Sequence, residues 1–132
     1  MGELLLELTQ PLVDRYEIVR DVRGLGLMWA IELGPPSGRA ARSMWSMGER
    51  AQPGLFAQLV TVPLFHEHRI LCQVAGHGLN VVKALPALVV SEEDVRSFAA
   101  ALDDVLAGAE RVPRAYARFG VRMARGLRRT AT

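Results

Sequence analysis

Residues 18–33 contain two short runs with the side-chain alternation of β-strands, joined by a glycine-containing turn. This feature constrains the fold of the chain most. In the second run, one face of an extended strand carries the apolar residues Leu27, Trp29, Ile31 and Leu33. Gly24 and Gly26 precede this run, and glycine adopts the positive φ angles of a tight turn without steric cost. We therefore predict a β-hairpin over this segment.

The remaining apolar residues predict helices on both sides of the hairpin. Apolar side chains recur at helical spacing over residues 2–16, 55–68 and 92–107. Pro11 is expected to kink or divide the first of these helices. Ser91 and Asp94 have the spacing of a capping box at the start of the third helix. Gly108 is expected to end that helix, and a further helix is expected to begin at Pro113.

Two short segments complete the predicted sheet. Residues 69–75 and 80–88 are rich in apolar residues and are separated by the turn sequence Gly76-His77-Gly78. Helices, a hairpin and two further strands in this order predict an α+β fold, with a small, mostly antiparallel sheet covered by helices on one face.

Composition limits the number of domains and the cellular compartment. The chain has 132 residues, half of them apolar, which suits a single domain with a packed core. Cys72 is the only cysteine, so an intramolecular disulfide cannot form, as is usual in a reducing compartment. No segment approaches the roughly 20 apolar residues that cross a bilayer. We expect a cytoplasmic protein.

Three motifs invite a functional interpretation that their geometry does not favour. Gly24-Leu25-Gly26 lacks the third glycine of a dinucleotide-binding loop and stands between strands, so we interpret it as a turn. His66 and His68 are two residues apart, and on a helix such residues point in different directions. We therefore predict no metal site there. Cys72 is interpreted as a small core residue, because it stands in an apolar strand.

Arginines recur every three or four residues from Arg111 to Arg129, which is typical of a basic amphipathic helix. We predict a peripheral helical tail over residues 109–132, following a domain of residues 1–108. The net charge of only +2 does not indicate a nucleic-acid partner. We expect the arginines to lie in solvent, without contact to nucleic acid or a membrane.

Several segments resemble the class III, ornithine-aminotransferase-like family of pyridoxal-phosphate-dependent aminotransferases. Residues 22–33 (VRGLGLMWAIEL) look like the family's VRGxGLM…IEL segment, and residues 80–88 (NVVKALPAL) look like its NVIRxxPPL strand. Residues 91–94 (SEED) match the acidic helix start that follows. The resemblance spans residues 2 to about 107 and implies the C-terminal small domain of such an enzyme. Lys83 replaces the family's usual arginine, and Ala87 replaces the second proline.

The resemblance also implies a reaction, a cofactor and partners. Family members are usually homodimers that transfer amino groups between an amine or amino acid and an oxo acid through pyridoxal phosphate. The region of the Schiff-base lysine belongs to a large domain that is not in this sequence. We therefore expect the isolated chain to be inactive and to hold no cofactor, with no catalytic residue of its own.

Lys83 is the one candidate site residue, as a ligand for a substrate carboxylate. The family's arginine at this position binds that group, and the change to lysine indicates a shift in substrate preference. No phosphate-binding loop accompanies Lys83, so we do not assign it as the Schiff-base lysine. A solvated surface lysine is the alternative. For the whole chain, the alternative function is a stand-alone, non-catalytic binding or regulatory module that engages a partner through its basic C-terminal helix.

Overall fold

We describe a computed structural model of the chain, in which the backbone is described for residues 1–130 and the side chains for residues 1–112. The elements in chain order are α1 (Gly2–Thr9), α2 (Leu12–Arg15), β1 (Val19–Leu25), β2 (Met28–Leu33), α3 (Arg39–Ala51), α4 (Leu55–His68), β3 (Gln73–Val74), β4 (Val81–Ala84) and α5 (Glu92–Thr130).

The four strands form one antiparallel sheet in the order β1-β2-β4-β3. The predicted hairpin is confirmed: Leu25 pairs with Met28, and Gly26 has the positive φ of 58° that the turn requires. Apolar residues continue across the sheet in one row, because Ile31 pairs with both Val22 and Val82. All three are buried, so this row forms the covered face of the sheet.

Helix α5 closes the core over this face together with α1, α3 and α4. Among the residues of α5 whose side chains are described, the buried stripe consists of Val95, Ala101, Leu102, Val105, Leu106 and Ala109. Trp29 lies between the sheet and α5, where its ring contacts that of Phe98 edge-on, with 5.2 Å between the ring centroids. Its indole Nε1 donates a hydrogen bond of 2.9 Å to the buried hydroxyl of Thr9. The predicted α+β fold, an antiparallel sheet with helices, is confirmed.

The predicted division of the first helix is confirmed, whereas one helix was not predicted. The helix expected over residues 2–16 is divided into α1 and α2 beside Pro11, as the proline suggested. Helix α3 was not predicted, because only Ala41 and Trp45 of its 13 residues are buried. Trp45 stacks on Phe56 of α4 with centroids 3.6 Å apart. A helix that buries only two side chains shows little apolar periodicity in its sequence.

The strands expected over 69–75 and 80–88 are shorter than predicted. Residues 69–70 instead close helix α4: Arg69 is left-handed, with φ 61°, and the amide of Ile70 donates to the carbonyl of Leu64. Strand β4 ends at Ala84, two residues before Pro86. Proline has no amide hydrogen to donate to a sheet, so the pairing does not extend through it.

The predicted end of the third helix at Gly108 is wrong. Helix α5 continues to Thr130, and the helix expected to begin at Pro113 is part of it. A glycine ends a helix when it adopts a left-handed conformation, and Gly108 is not among the residues with positive φ. Buried Leu106 and Ala109 on either side hold the backbone helical here. The expected exposure of the tail arginines after residue 112 falls outside the described side chains. No helix in the described part of the chain has the length and hydropathy to span a membrane.

Candidate functional site

Lys83 lies on the face of the sheet opposite to the packed core. Its strand neighbour Val82 is fully buried, and side chains alternate along a strand, so Lys83 points to the other face. It pairs with Ala30 of β2 on one side and with Gln73 of β3 on the other. The residue is half-buried. Val82 and Lys83 therefore lie on opposite faces of the sheet.

A shallow groove of about 490 Å³ runs along this face between the hairpin and β4. Lys83 and Arg23 supply its positive charges, and Leu25, Met28 and Leu85 supply most of its exposed apolar surface. The side chains of these three apolar residues are 55–76% exposed. A groove of this kind suits a small anion that also carries apolar atoms.

The two cations of the groove differ in their pairing. Arg23 donates to the carboxylates of Asp21 at 2.7 Å and Glu32 at 2.9 Å. These hydrogen bonds, the one to Asp21 first, raise the pKa of the Arg23 guanidinium. Lys83 forms no ion pair with any residue whose side chain is described here. Its ammonium is therefore the cation of the groove that no described carboxylate neutralises.

The glycine motif forms the predicted turn, whereas Cys72 precedes β3 instead of lying in a strand and is only partly buried. Cys72 packs against the core, and burial raises the pKa of its thiol to about 11. It is therefore a neutral thiol near neutral pH and a poor nucleophile. Gly24 and Gly26 belong to the hairpin, and a side chain at Gly24 would collide with the carbonyl oxygen of Met28 at 2.9 Å.

A second cluster of polar side chains was missed at the sequence level. His66 and His68 point apart, as expected, but His68 Nε2 lies 3.1 Å from Asp104 Oδ2 on α5. Glu67 completes the group, in which one donor atom from each residue lies within 4.8 Å of the others. The only signal in the sequence was an acidic residue 36 positions further on, and its proximity depends on how α4 packs on α5.

Comparisons with known proteins identify the fold. No family model matches the chain. A transaminase from the marine bacterium Virgibacillus superposes with a TM-score of 0.65 at 22% identity, covering 83% of this chain and 23% of that one. The omega transaminase from Pseudomonas jessenii in complex with PMP gives a TM-score of 0.63 at 23% identity, over 82% of this chain and 21% of that one.

A curated protein is also similar to this chain in sequence. The ethanolamine-phosphate phospho-lyase homolog 1 of Caenorhabditis elegans is 28% identical over 106 residues, which are 80% of this chain and 21% of the relative. The chain thus spans about a fifth of the length of the proteins it resembles. The resemblance to transaminases is confirmed, and the shared fold is that of their small domain.

Proposed function

We propose that this chain, which has the fold of a transaminase small domain, acts as the C-terminal domain of a class III pyridoxal-phosphate-dependent aminotransferase. In that enzyme it would contribute one wall of the substrate site. The reaction would move an amino group between an amine or amino acid and an oxo acid. By the same resemblance we expect a homodimer, and the lone Cys72 is consistent with the cytoplasm.

The position of the two family-like segments is the observation that supports this proposal most. Residues 22–33 and 80–88 are far apart in sequence, yet β2 and β4 pair directly, with Trp29 opposite Ala84. The two segments therefore form the same groove, and Lys83 lies within it. Motifs that lie together on one surface can contact the same ligand, whereas motifs scattered over the fold cannot.

Three strongly exposed apolar residues outside the groove support a partner domain. Leu71, Leu88 and Val89 are 79%, 92% and 90% exposed. An apolar patch of this kind on a domain generally marks a contact with another protein surface. We infer that the large domain of the enzyme covers these residues.

The groove does not fit pyridoxal phosphate itself. A protein that uses this cofactor supplies a lysine for the aldimine and separate groups for the ring nitrogen and the phosphate. The groove is open and offers one uncommitted cation, Lys83, which cannot serve both as the aldimine lysine and as the phosphate ligand. The cofactor, which acts as the electron sink when bound, is therefore assigned to the large domain.

Lys83 is proposed to bind the anionic group of the substrate. An unpaired ammonium on a half-buried strand gains a partner when a carboxylate enters the groove. Lysine offers a point charge where arginine offers a planar fork, so it orients the carboxylate less strictly. The relative from Caenorhabditis elegans bears the name of an enzyme for a phosphate-bearing amine. A phosphate is thus the second anion to test.

The experiment compares substrates in the full-length enzyme. We expect Lys83→Ala to raise KM for carboxylate-bearing amino donors by roughly tenfold or more, the scale of one charge-assisted hydrogen bond. Plain amines should be almost unaffected, and Lys83→Arg should retain the preference for carboxylates. A KM rise confined to phosphorylated amines would assign the phosphate instead. Equal losses for both anionic and plain amines would leave Lys83 with a structural role.

Incubation of the isolated chain with pyridoxal phosphate separates the proposed function from cofactor binding here. We expect no stoichiometric label at Lys83 after borohydride reduction, and no turnover of an amine. Labelling together with turnover would show that this chain carries the cofactor itself.

The alternative, a non-catalytic binding module, relies on the basic tail. The observation in its favour is that α5 continues as one helix to Thr130. A salt-sensitive affinity for nucleic acid or anionic vesicles would support it. An open reading frame that continues upstream into a large domain would favour the aminotransferase.

A further inference from the structure

We propose that Glu67, His68 and Asp104 form a binding site for a zinc ion. None of these residues lines the Lys83 groove, so the site is separate from the proposed substrate site. The proposal does not depend on the transaminase function.

The donor atoms are of the right kind and already close together. His68 offers an imidazole nitrogen, and Glu67 and Asp104 each offer a carboxylate oxygen, with all three atoms within 4.8 Å of one another. The His68 Nε2 to Asp104 Oδ2 distance is 3.1 Å. Two ligands on zinc, at bond lengths of about 2.0–2.2 Å, are separated by roughly 3–3.6 Å. This pair therefore needs little movement to share an ion.

The chemistry of the donors favours zinc over the hard cations. Calcium and magnesium are held by oxygen atoms alone, whereas an imidazole suits zinc and its transition-metal neighbours. Three protein ligands leave a position for water, as in open zinc sites. Exposure allows this: the side chain of Asp104 is 69% exposed, and that of His68 is 27% exposed.

The two helices fix the relative positions of the donors. Helix α4 packs on α5 through fully buried side chains, among them Leu64 of α4 and Leu102 of α5. The left-handed Arg69 ends α4 directly after His68, so the histidine occupies the last turn of the helix. Rigid elements hold ligands more accurately than loops. Glu67 is exposed and has the freedom to swing toward the ion.

In the absence of metal, the same geometry forms a hydrogen-bonded pair between His68 and Asp104. Such partly exposed pairs contribute little to stability. A zinc ion would displace the hydrogen bond and bind both groups. The nearby Arg111, which lines a shared groove with Glu67 and Asp104, adds a positive charge that weakens the site without removing a ligand.

Zinc titration of the 132-residue chain, purified without a polyhistidine tag, tests the site. In competition with a chromogenic chelator we expect one equivalent of Zn²⁺ to bind. Asp104→Asn and His68→Gln should each weaken zinc binding by at least about tenfold, since substitution even of residues that only hydrogen-bond to metal ligands changes affinity by that factor. Asp104 is exposed, so its variant should keep the fold, which circular dichroism checks.

His66→Gln is the matched control, because it removes an exposed histidine from the same turn of α4. This variant should bind zinc like the parent chain. The proposal is overturned if the parent binds no stoichiometric zinc. It is also overturned if Asp104→Asn has no effect, or if His66→Gln weakens binding as much as His68→Gln does.

Discussion

Tyr16 links the N-terminal segment to α5 through a single hydroxyl group. It is 8% exposed, and its hydroxyl donates to the Asp103 carboxylate at 2.6 Å and lies 3.0 Å from the Asp103 carbonyl oxygen. The neighbouring Arg15 pairs with the other oxygen of the same carboxylate at 2.8 Å. Burial, and then the hydrogen bond to Asp103, raise the pKa of Tyr16 to about 12.

This pKa predicts a loss of stability at alkaline pH. The unfolded tyrosine titrates near pH 10, so above that pH the unfolded chain loses a proton that the folded chain keeps. The contribution of Tyr16 is therefore complete below about pH 10 and declines up to about pH 12. Tyr16→Phe should be less stable than the parent chain near neutral pH, and the difference should shrink at high pH.

Urea denaturation of both proteins at about pH 9 and about pH 11 measures this effect. Other groups that titrate in this range, including Cys72, are present in both proteins and cancel in the comparison. A gap between parent and variant that stays constant over this range would contradict the assignment.

At the scale of elements, the start of α5 depends on local hydrogen bonds. The Asp94 amide donates to Ser91 Oγ at 3.1 Å, and the Ser91 amide donates to Asp94 Oδ2 at 3.0 Å. This is the capping box that the sequence predicted. The hydrogen bond that Ser91 Oγ donates to Asp94 Oδ2 at 2.6 Å, and then the one from the Ser91 amide, lower the pKa of Asp94. Their contribution is present above the unfolded pKa of Asp94 and is lost as the pH falls through the lowered one.

Ser91→Ala should destabilise the chain by about 1 kcal/mol, because it removes the acceptor for one of the free amides of the first turn. Ser97→Ala, an exposed change further along the same helix, should alter the free energy of unfolding by less than about 0.5 kcal/mol. Chemical denaturation near neutral pH compares the two. Similar effects from both variants would show that the cap does not limit the stability of α5.

At the scale of the whole molecule, the exposed apolar residues should make the isolated chain self-associate. Leu71, Leu88 and Val89 are almost fully exposed to water. Burying a leucine side chain against another chain contributes about 1.5–3 kcal/mol of free energy. Sedimentation velocity should show association that increases with concentration, and Leu88→Glu should reduce it. Met47→Glu, at a 57% exposed position on α3, serves as the control. A parent chain that stays monomeric at high concentration would argue against a covered surface here.

The sequence alone determined the features that depend on neighbouring residues. The glycine turn, the alternation in β2 and the capping box of α5 each arise from residues within one element. Their patterns follow from the periods of strands and helices, which any part of the chain obeys. Together with the family-like segments they were sufficient for the fold class.

The tertiary structure decided what depends on contacts between distant residues. Helix α3 is held by its packing on α5 and by the stack of Trp45 on Phe56 of α4. Gly108 did not end α5, since the buried residues around it outweigh the cost of about 1 kcal/mol for glycine in a helix. The meeting of His68 with Asp104 likewise arises only when two helices pack. Packing free energies exceed local preferences, and they are set by partners that no single segment of sequence contains.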